Sequence, residues 1–348
     1  MVANSTTART PPKKLGHRAR AEHSQTLRRT IQIAFLILNL WIGAQFYLFV
    51  RYYESGGRWM HVARPAGVEG WLPIASLMNL KALLLTGRLP AIHPAGTLLL
   101  IAFLVISLIF RKSFCGWLCP VGTVSEYLWR LGRKLFRRNL HLPRWLDIPL
   151  RGIKYVLMAL FIYVVASMSV LAIRQFLDSP YGLVDDVKML NLFRDLGVLG
   201  GAVLALLVLG SVVVQNFWCR YFCPYGALMG LISMASPLRI RREPSLCIDC
   251  AKCSKACPSG LAVDRLVTIQ SAECLGCMQC VASCPAEGAL FLSAPRKKRI
   301  PAWAMAAGVV TLFFGTYIYG RASGKWDTAL DESIYMHVVP HANEFEHP

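Results

Sequence analysis

Residues 247–258 read CIDCAKCSKACP, and residues 274–285 read CLGCMQCVASCP. Each is C-x2-C-x2-C-x3-C-P: Cys247, Cys250, Cys253 and Cys257-Pro258, then Cys274, Cys277, Cys280 and Cys284-Pro285. Zinc takes its ligands as two pairs, and secreted modules use cysteines for disulfides. Neither habit produces a whole run of four with a trailing proline, twice over. An iron–sulfur cube does: three thiolates come from one tight C-x2-C-x2-C turn and the fourth from the distant half. On that rule Cys247, Cys250, Cys253 and Cys284 hold one [4Fe–4S] cluster, and Cys274, Cys277, Cys280 and Cys257 hold the other.

This is the ligand spacing of bacterial two-cluster ferredoxins, so residues 239–295 are expected to form a small α+β 2[4Fe–4S] domain that carries electrons. The rest of the chain is of another kind. Of its 348 residues, 55% are hydrophobic and 16% charged, and the mean hydropathy is +0.44. Soluble domains carry about a quarter charged residues. The expected fold class is therefore mostly α, a polytopic membrane protein of about five transmembrane helices with the ferredoxin domain inserted. A formal net charge of +19 would suit nucleic acid. Here, however, the basic residues flank apolar segments, as the positive-inside rule requires, and no nucleic-acid partner is expected. All 12 cysteines fall into four motifs, and such thiols argue for a reducing compartment around them.

Residues 1–29 read as a basic, disordered cytoplasmic tail, with Arg28 and Arg29 at its end. Residues 30–238 read as a membrane domain with spans over 31–50, 92–110, 152–176 and 196–215, near the ~20 residues that a bilayer requires. Between the first two, residues 71–89 are apolar but broken by Asn79 and Lys81, which predicts an interfacial or re-entrant helix. Residues 296–320 supply a fifth span, apolar over 301–320, and residues 321–348 an acid-leaning, unstructured periplasmic tail. The 111–151 loop is basic, and 177–195 carries Asp178, Asp185, Asp186 and Asp195. This bias puts the N-terminus and ferredoxin domain in the cytoplasm and the C-terminus in the periplasm of a multi-pass bacterial inner-membrane protein.

The remaining cysteines form two C-x3-C-P pairs, Cys115/Cys119-Pro120 and Cys219/Cys223-Pro224, each after an apolar span. The two stretches read as a weak parallel repeat. A spacing of four puts two thiols on one helical face, and the prolines are expected to end or kink that helix. Facing pairs would make a four-thiolate site beside the ferredoxin domain. Its alternatives are a third metal centre, copper handling, a reversible disulfide, or thiols that merely pack.

No histidine falls within the middle of a span, so no intrinsic haem is expected. His93, beside the 71–89 segment, is the candidate quinone ligand or proton acceptor; the plainer reading is a histidine at headgroup level. His337, His341, Glu344, Glu346 and His347 could touch a metal, but a polar tail accounts for them. No redox group is visible at mid-depth of a hydrocarbon core ~30 Å thick. A lipid-soluble quinone or a partner subunit is needed to complete any route across.

Two C-x3-C-P motifs followed by the double cysteine module resemble the NapH/NosR/MauN-type membrane polyferredoxins over roughly residues 30 to 295, as does His93-Pro94-Ala95-Gly96 after its Leu-rich run. The resemblance implies quinol oxidation feeding a periplasmic reductase or dehydrogenase, or a part in maturing metal sites. It carries over the eight cluster cysteines and the four C-x3-C-P cysteines. The fifth span and the tail after residue 300 depart from it, and no large flavin-binding domain precedes the first span. The expected function is a membrane-bound iron–sulfur subunit passing electrons between the quinone pool and a periplasmic or cytoplasmic partner redox protein. It would be at most a quinol dehydrogenase component that acts with partner subunits. The alternative is an assembly factor supplying electrons or metal to a periplasmic metalloenzyme.

Overall fold

The computed structural model describes residues 24–347 except 138, 141 and 329. Residues 1–23 of the expected basic tail lie outside the described residues. Residues 24–29 are not a tail: they open α1 (Ser24–Glu54), a 31-residue helix. Arg28 is 1% exposed rather than solvated. A helix that must reach past the bilayer to meet the cysteine-rich module starts before its apolar run does.

A short 3-10 turn, Ala66–Trp71, leads into α2 (Pro73–Thr86), which begins on proline, where a missing N–H costs nothing, and closes on Gly87 at φ 69°. His93, at φ 54°, caps α3 (Pro94–Phe110). This 17-residue helix is apolar all round and is the hub: Ala95, Leu100 and Ile106 are each 0% exposed. A helix hydrophobic on every face belongs inside. After a π-type turn, Phe114–Leu118, comes amphipathic α4 (Pro120–Phe136).

The span expected over 152–176 starts and stops earlier, as α5 (Arg144–Ser167). The chain turns at Met168, and Ser169 caps α6 (Val170–Leu177) by accepting from the Ala172 amide. That serine side chain satisfies a free N–H and so starts a new helix rather than prolonging the old one. The expected 177–195 loop folds as α7 (Pro180–Leu183) and α8 (Asp185–Arg194). Next is α9 (Val198–Val213), bent by 82° from α8 and shorter than the 196–215 expected. Then follow α10 (Phe217–Tyr221) and α11 (Pro224–Ser233).

The ferredoxin module comprises β1 (Arg239–Arg242), α12 (Lys252–Lys255), α13 (Gln279–Ala282) and β2 (Leu290–Ser293). Its strands pair antiparallel, Arg239 with Ser293 and Arg242 with Leu290, so its ends meet while the cysteine loops lie between them. Ile240 and Leu292, each 1% exposed, share one continuous core with Leu100 and Ile106 of α3. The chain ends with α14 (Ala302–Ala322) and α15 (Glu332–Val338).

The expected unstructured tail is therefore folded. Tyr335, Val338, Val339 and Ala342 are buried against Phe46, Phe49, Val50 and Tyr53 of α1. Alternating charges hid an apolar stripe of only a few residues. Among the described residues, three helices are long and apolar enough to cross a membrane, α1, most of α5 and α14, and the bent α8–α9 pair is a fourth candidate.

The end of the bundle away from the ferredoxin module is held by buried charge. Arg64 donates to Asp186 (2.7 Å), Glu69 (2.8 Å) and the Thr328 hydroxyl (3.2 Å). Thr328 donates to Glu69 (2.6 Å), and the Gly96 amide donates to the other Glu69 oxygen (3.1 Å). His93 lies 3.0 Å from Asp185. One cluster thus ties the start of α3 to the 3-10 turn, α8 and the C-terminal loop. Burial would raise the Glu69 carboxyl, but Arg64, His93 and Thr328 outweigh it and hold it at about 2.

Two predictions follow from the packing and this cluster. A Cβ on Gly132 of α4 would fall 1.8 Å from the Val212 carbonyl of α9. Gly132→Ala should cost about 2 kcal/mol or more in a detergent thermal melt, whereas Gly43→Ala, mid-helix with nothing within 4 Å, should leave the melt unchanged or raise it slightly. Glu69→Gln should cost about 3–5 kcal/mol, because it strips a buried arginine of a partner. A carboxyl lowered on folding stabilises above its ordinary pKa of ~4.3 and loses that contribution as pH falls toward about 2. The gap between wild type and Glu69→Gln should therefore be full at pH 7 and close on acidification. A gap that is constant with pH would refute the assignment.

Candidate iron–sulfur centres and membrane cavity

All twelve cysteines are free thiols. Cys257, Cys274, Cys277 and Cys280 line one small cavity in the ferredoxin module. This brings Cys257 to the second loop, across the C-x3-C break from its own run. Cys284 feels the charges of Cys247 and Cys250, and Cys253 feels that of Cys284. The thiols thus fall into two groups of four, each with three ligands from one loop and one from the other. That is the donor set a [4Fe–4S] cluster takes. Among the described residues, no three His, Cys, Asp or Glu side chains converge on one point as a single ion needs. Burial pushes the Cys257 thiol up to about 12, so loading a metal there must displace a proton.

The C-x3-C-P pairs do not lie on one helical face. Cys115 sits in the 114–118 turn, and Cys119 is the residue preceding α4; Cys219 lies in α10, and Cys223 precedes α11. Pro120 and Pro224 open new helices instead of ending old ones, for the same reason as Pro73. The second thiol of each pair therefore sits at a helix N-terminus, and Cys223 Sγ accepts from the Gly226 amide (3.2 Å). All four thiols line the ferredoxin end of a cavity of about 1030 Å³. The cavity runs between α1, α5 and α14 to Arg64, Arg321 and Asp327 at the far end. Lys112, 3% exposed, stands beside these thiols and affects Cys115 and Cys223 electrostatically, as does the fully buried Lys154.

The module is pressed onto this site by backbone. A Cβ on Gly116 would lie 2.8 Å from the Leu275 carbonyl, and one on Gly230 would lie 2.7 Å from that of Ala272. Trp117 Nε1 donates to the Gly276 carbonyl (3.2 Å), and Arg111 Nη2 donates to that of Ser271 (2.7 Å). Leu275 lines both cavities and so separates the membrane thiols from those of the second loop. From α1, Gln25 donates to the Cys277 carbonyl (2.9 Å). Arg28 pairs with Glu126 (2.6 Å) and also donates to the Gly116 carbonyl (3.0 Å). Lys154 pairs with Glu273 (2.6 Å), the residue before Cys274.

His93 is 1% exposed and does not line the cavity. It belongs to the far-end charge cluster, with Arg64 between it and the cavity wall. His341 pairs with Glu344 (3.2 Å) on the surface. No local pattern marks Gln25, Arg28, Glu126 or Glu273 as part of the site, because each acts on a distant segment. The one available signal was Lys112, a cation three residues before a cysteine at the end of an apolar run.

Comparison with known proteins places names on these cysteines. The family described as 4Fe-4S binding domain matches residues 92–139 and again 196–243, the two halves that carry the C-x3-C-P pairs. The family described as 4Fe-4S dicluster domain matches residues 239–285. The Escherichia coli K12 protein named "Putative electron transport protein YccM" is 47% identical over 331 residues, 93% of each chain. The methylamine utilization ferredoxin-type protein MauN of Methylorubrum extorquens is 28% identical over 55% of this chain and 62% of its own. The ferredoxin-type protein NapH of Escherichia coli K12 is 26% identical over 52% and 59%. No solved structure matches. Likeness over nearly the whole of one relative, with iron–sulfur families on three cysteine segments, fixes the assignment: the chain belongs to the NapH/MauN-type membrane polyferredoxins, helical membrane proteins that carry electrons on iron–sulfur clusters.

Proposed function

We propose that this polyferredoxin passes electrons between the membrane quinone pool and a partner redox protein of a periplasmic reductase or dehydrogenase system. The observation that carries this reading is the apolar cavity whose ferredoxin end is lined by four thiols. Its size suits a lipid-soluble ligand, and its position brings such a ligand to the redox cysteines. Cys247, Cys250, Cys253 and Cys284 hold one [4Fe–4S] cluster, and Cys274, Cys277, Cys280 and Cys257 hold the second. Cys115, Cys119, Cys219 and Cys223 hold a third iron–sulfur centre, nearest the cavity. When bound, such clusters exchange single electrons. A hydroquinone gives up two electrons and two protons, so a row of one-electron sites allows it to be emptied stepwise.

The chain's own residues keep that row in place. Gly116 and Gly230 admit the module backbone, Arg28 and Gln25 brace Cys277, and Leu275 keeps water from the gap between thiol sets. In this reading α1, α3, α5, α9 and α14 are the five spans. The ferredoxin domain, residues 239–295, and the basic 111–151 loop face the bacterial cytoplasm, and the segment after 321 faces the periplasm. The Arg and Lys bias of the loops supports that orientation.

Two experiments test the reading. In anaerobically purified protein, Cys257→Ser should abolish the EPR signal of the second-loop cluster and spare the other, and Cys284→Ser should do the reverse. If Cys257→Ser instead removed the first-loop signal, the crossed ligand sets would be wrong. Oxidised wild-type protein should be reduced by a menaquinol or ubiquinol analogue. Cys219→Ser should lose about four irons per chain and that reduction, while dithionite still reduces the ferredoxin pair. Wild-type protein of full iron content that dithionite reduces and no quinol does would rule out the quinone reading.

A further inference from the structure

We propose that the quinone headgroup binds at the ferredoxin end of the cavity, its two carbonyl oxygens held by the Lys112 ammonium and the Tyr225 hydroxyl, with the isoprenoid chain laid toward Arg321. This rests on the quinone reading above and adds the place and the residues.

Toward the far end the amides and charged side chains that line the cavity are already engaged, while the Tyr317 hydroxyl and the Trp71 and Trp326 indoles complete that wall. The Asn39 amide donates to the Phe35 carbonyl (2.8 Å) and that of Gln45 to the Ala63 carbonyl (3.0 Å). Arg64 is held by Glu69 and Asp186, and Arg321 pairs with Asp327 (2.5 Å). At the ferredoxin end it is otherwise. The side chains of Lys112 and Tyr225 both line the cavity and make no hydrogen bond or ion pair among the described residues. Lys112 is 3% exposed. Glu273, on which its charge acts, is beyond ion-pair distance and is itself bonded by Lys154 (2.6 Å) and Tyr155 (3.1 Å). An ammonium facing a largely apolar cavity with no acceptor from the protein is costly, and a ligand carbonyl removes that cost.

The position is also the useful one. A Cβ on Gly226 would lie 3.5 Å from Cys223 Sγ and 3.6 Å from Lys112 Nζ, so the ammonium and the thiol flank one small space. Tyr225 follows Cys223-Pro224, and its ring stands edge-on to Phe103 and Phe114, 6.3 Å from each, which fixes its direction. A phospholipid fits this end poorly. Its charged headgroup needs water, and here Gly116 and Leu275 form the wall. A quinone needs only two donors on opposite sides of a flat ring.

The full-length protein, purified anaerobically in detergent, gives the test. Tyr225→Phe and Lys112→Gln should each raise the half-saturating quinol concentration about tenfold, the loss expected for one hydrogen bond. Iron content and the dithionite-reduced spectrum should stay as in wild type. Should Lys112→Gln lose iron, Lys112→Arg keeps the charge and the donor and should restore both. A photoreactive azidoquinone should label the peptides that carry Lys112 or Tyr225. Wild-type half-saturation in both Tyr225→Phe and Lys112→Gln, or label recovered near Arg321, overturns the headgroup site while leaving quinol oxidation standing. Wild-type protein that neither binds the azidoquinone nor is reduced by quinol overturns both readings, and a phospholipid that the quinone cannot displace from the cavity overturns this one.

Discussion

A methyl group would not fit on Gly116. The Leu275 carbonyl would lie 2.8 Å from it, and the rest of the architecture depends on that approach. Gly116 follows Cys115, and Leu275 follows Cys274, so this close backbone contact between membrane part and ferredoxin module is made by the neighbours of two redox cysteines. Electron transfer weakens steeply with distance, and a hinge here would separate the centres. The surrounding side chains remove the hinge. Trp117 and Arg111 bond the module's backbone from one side, and Gln25 does so from α1. Arg28 and Gln32 both donate to the Gly116 carbonyl while bonding Glu126, so the turn that carries Cys115 is fixed by buried groups that are themselves held by a common carboxylate.

The cysteine chemistry was legible in the sequence because it is local. Three cysteines within seven residues define their own turn, and the whole turn is repeated 27 residues on. The apolar runs were legible for the same reason, since a bilayer acts on each segment separately. What escaped was set by contacts between distant segments. Arg28 looked like part of a solvated tail because its partner, Glu126, lies on another helix; paired, it is buried, and α1 begins seven residues before the expected span. The stop at Met168 depends on Ser169 capping a new helix, which hydropathy cannot register. The C-terminal segment read as polar because its buried side chains are few, yet Tyr335 packs edge-on against Phe49 (5.3 Å) and anchors it to α1. His93 was sought at the quinone because it lies near a membrane face. Its actual setting is an ion cluster assembled from four parts of the chain.

The shortness of α3 follows from the same division of labour. Seventeen residues make a helix of about 25 Å, less than the ~30 Å of a hydrocarbon core. A lone span of that length would thin the bilayer. Here α3 is wrapped by α2, α11 and α14, and eleven of its seventeen residues are buried by protein. The longer helices α1, α5 and α14 are the ones long and apolar enough to cross a membrane, and α3 can end where the cysteine turn needs it to end.

The two ends of the cavity then carry opposite designs. At the far end, Arg64 is matched by two carboxylates and a hydroxyl, and each partner has further bonds of its own. Breaking that cluster would strand a buried charge. Its role is to hold α3, α8 and the C-terminal loop as one rigid cap. At the ferredoxin end the protein leaves an ammonium and a phenol hydroxyl unpaired beside four thiols. Unsatisfied donors in an apolar wall are unfavourable for folding alone, so their place calls for a ligand that supplies acceptors. The rigid far end makes that tolerable, because a bundle fixed at one end by satisfied charge need not collapse onto unsatisfied groups at the other.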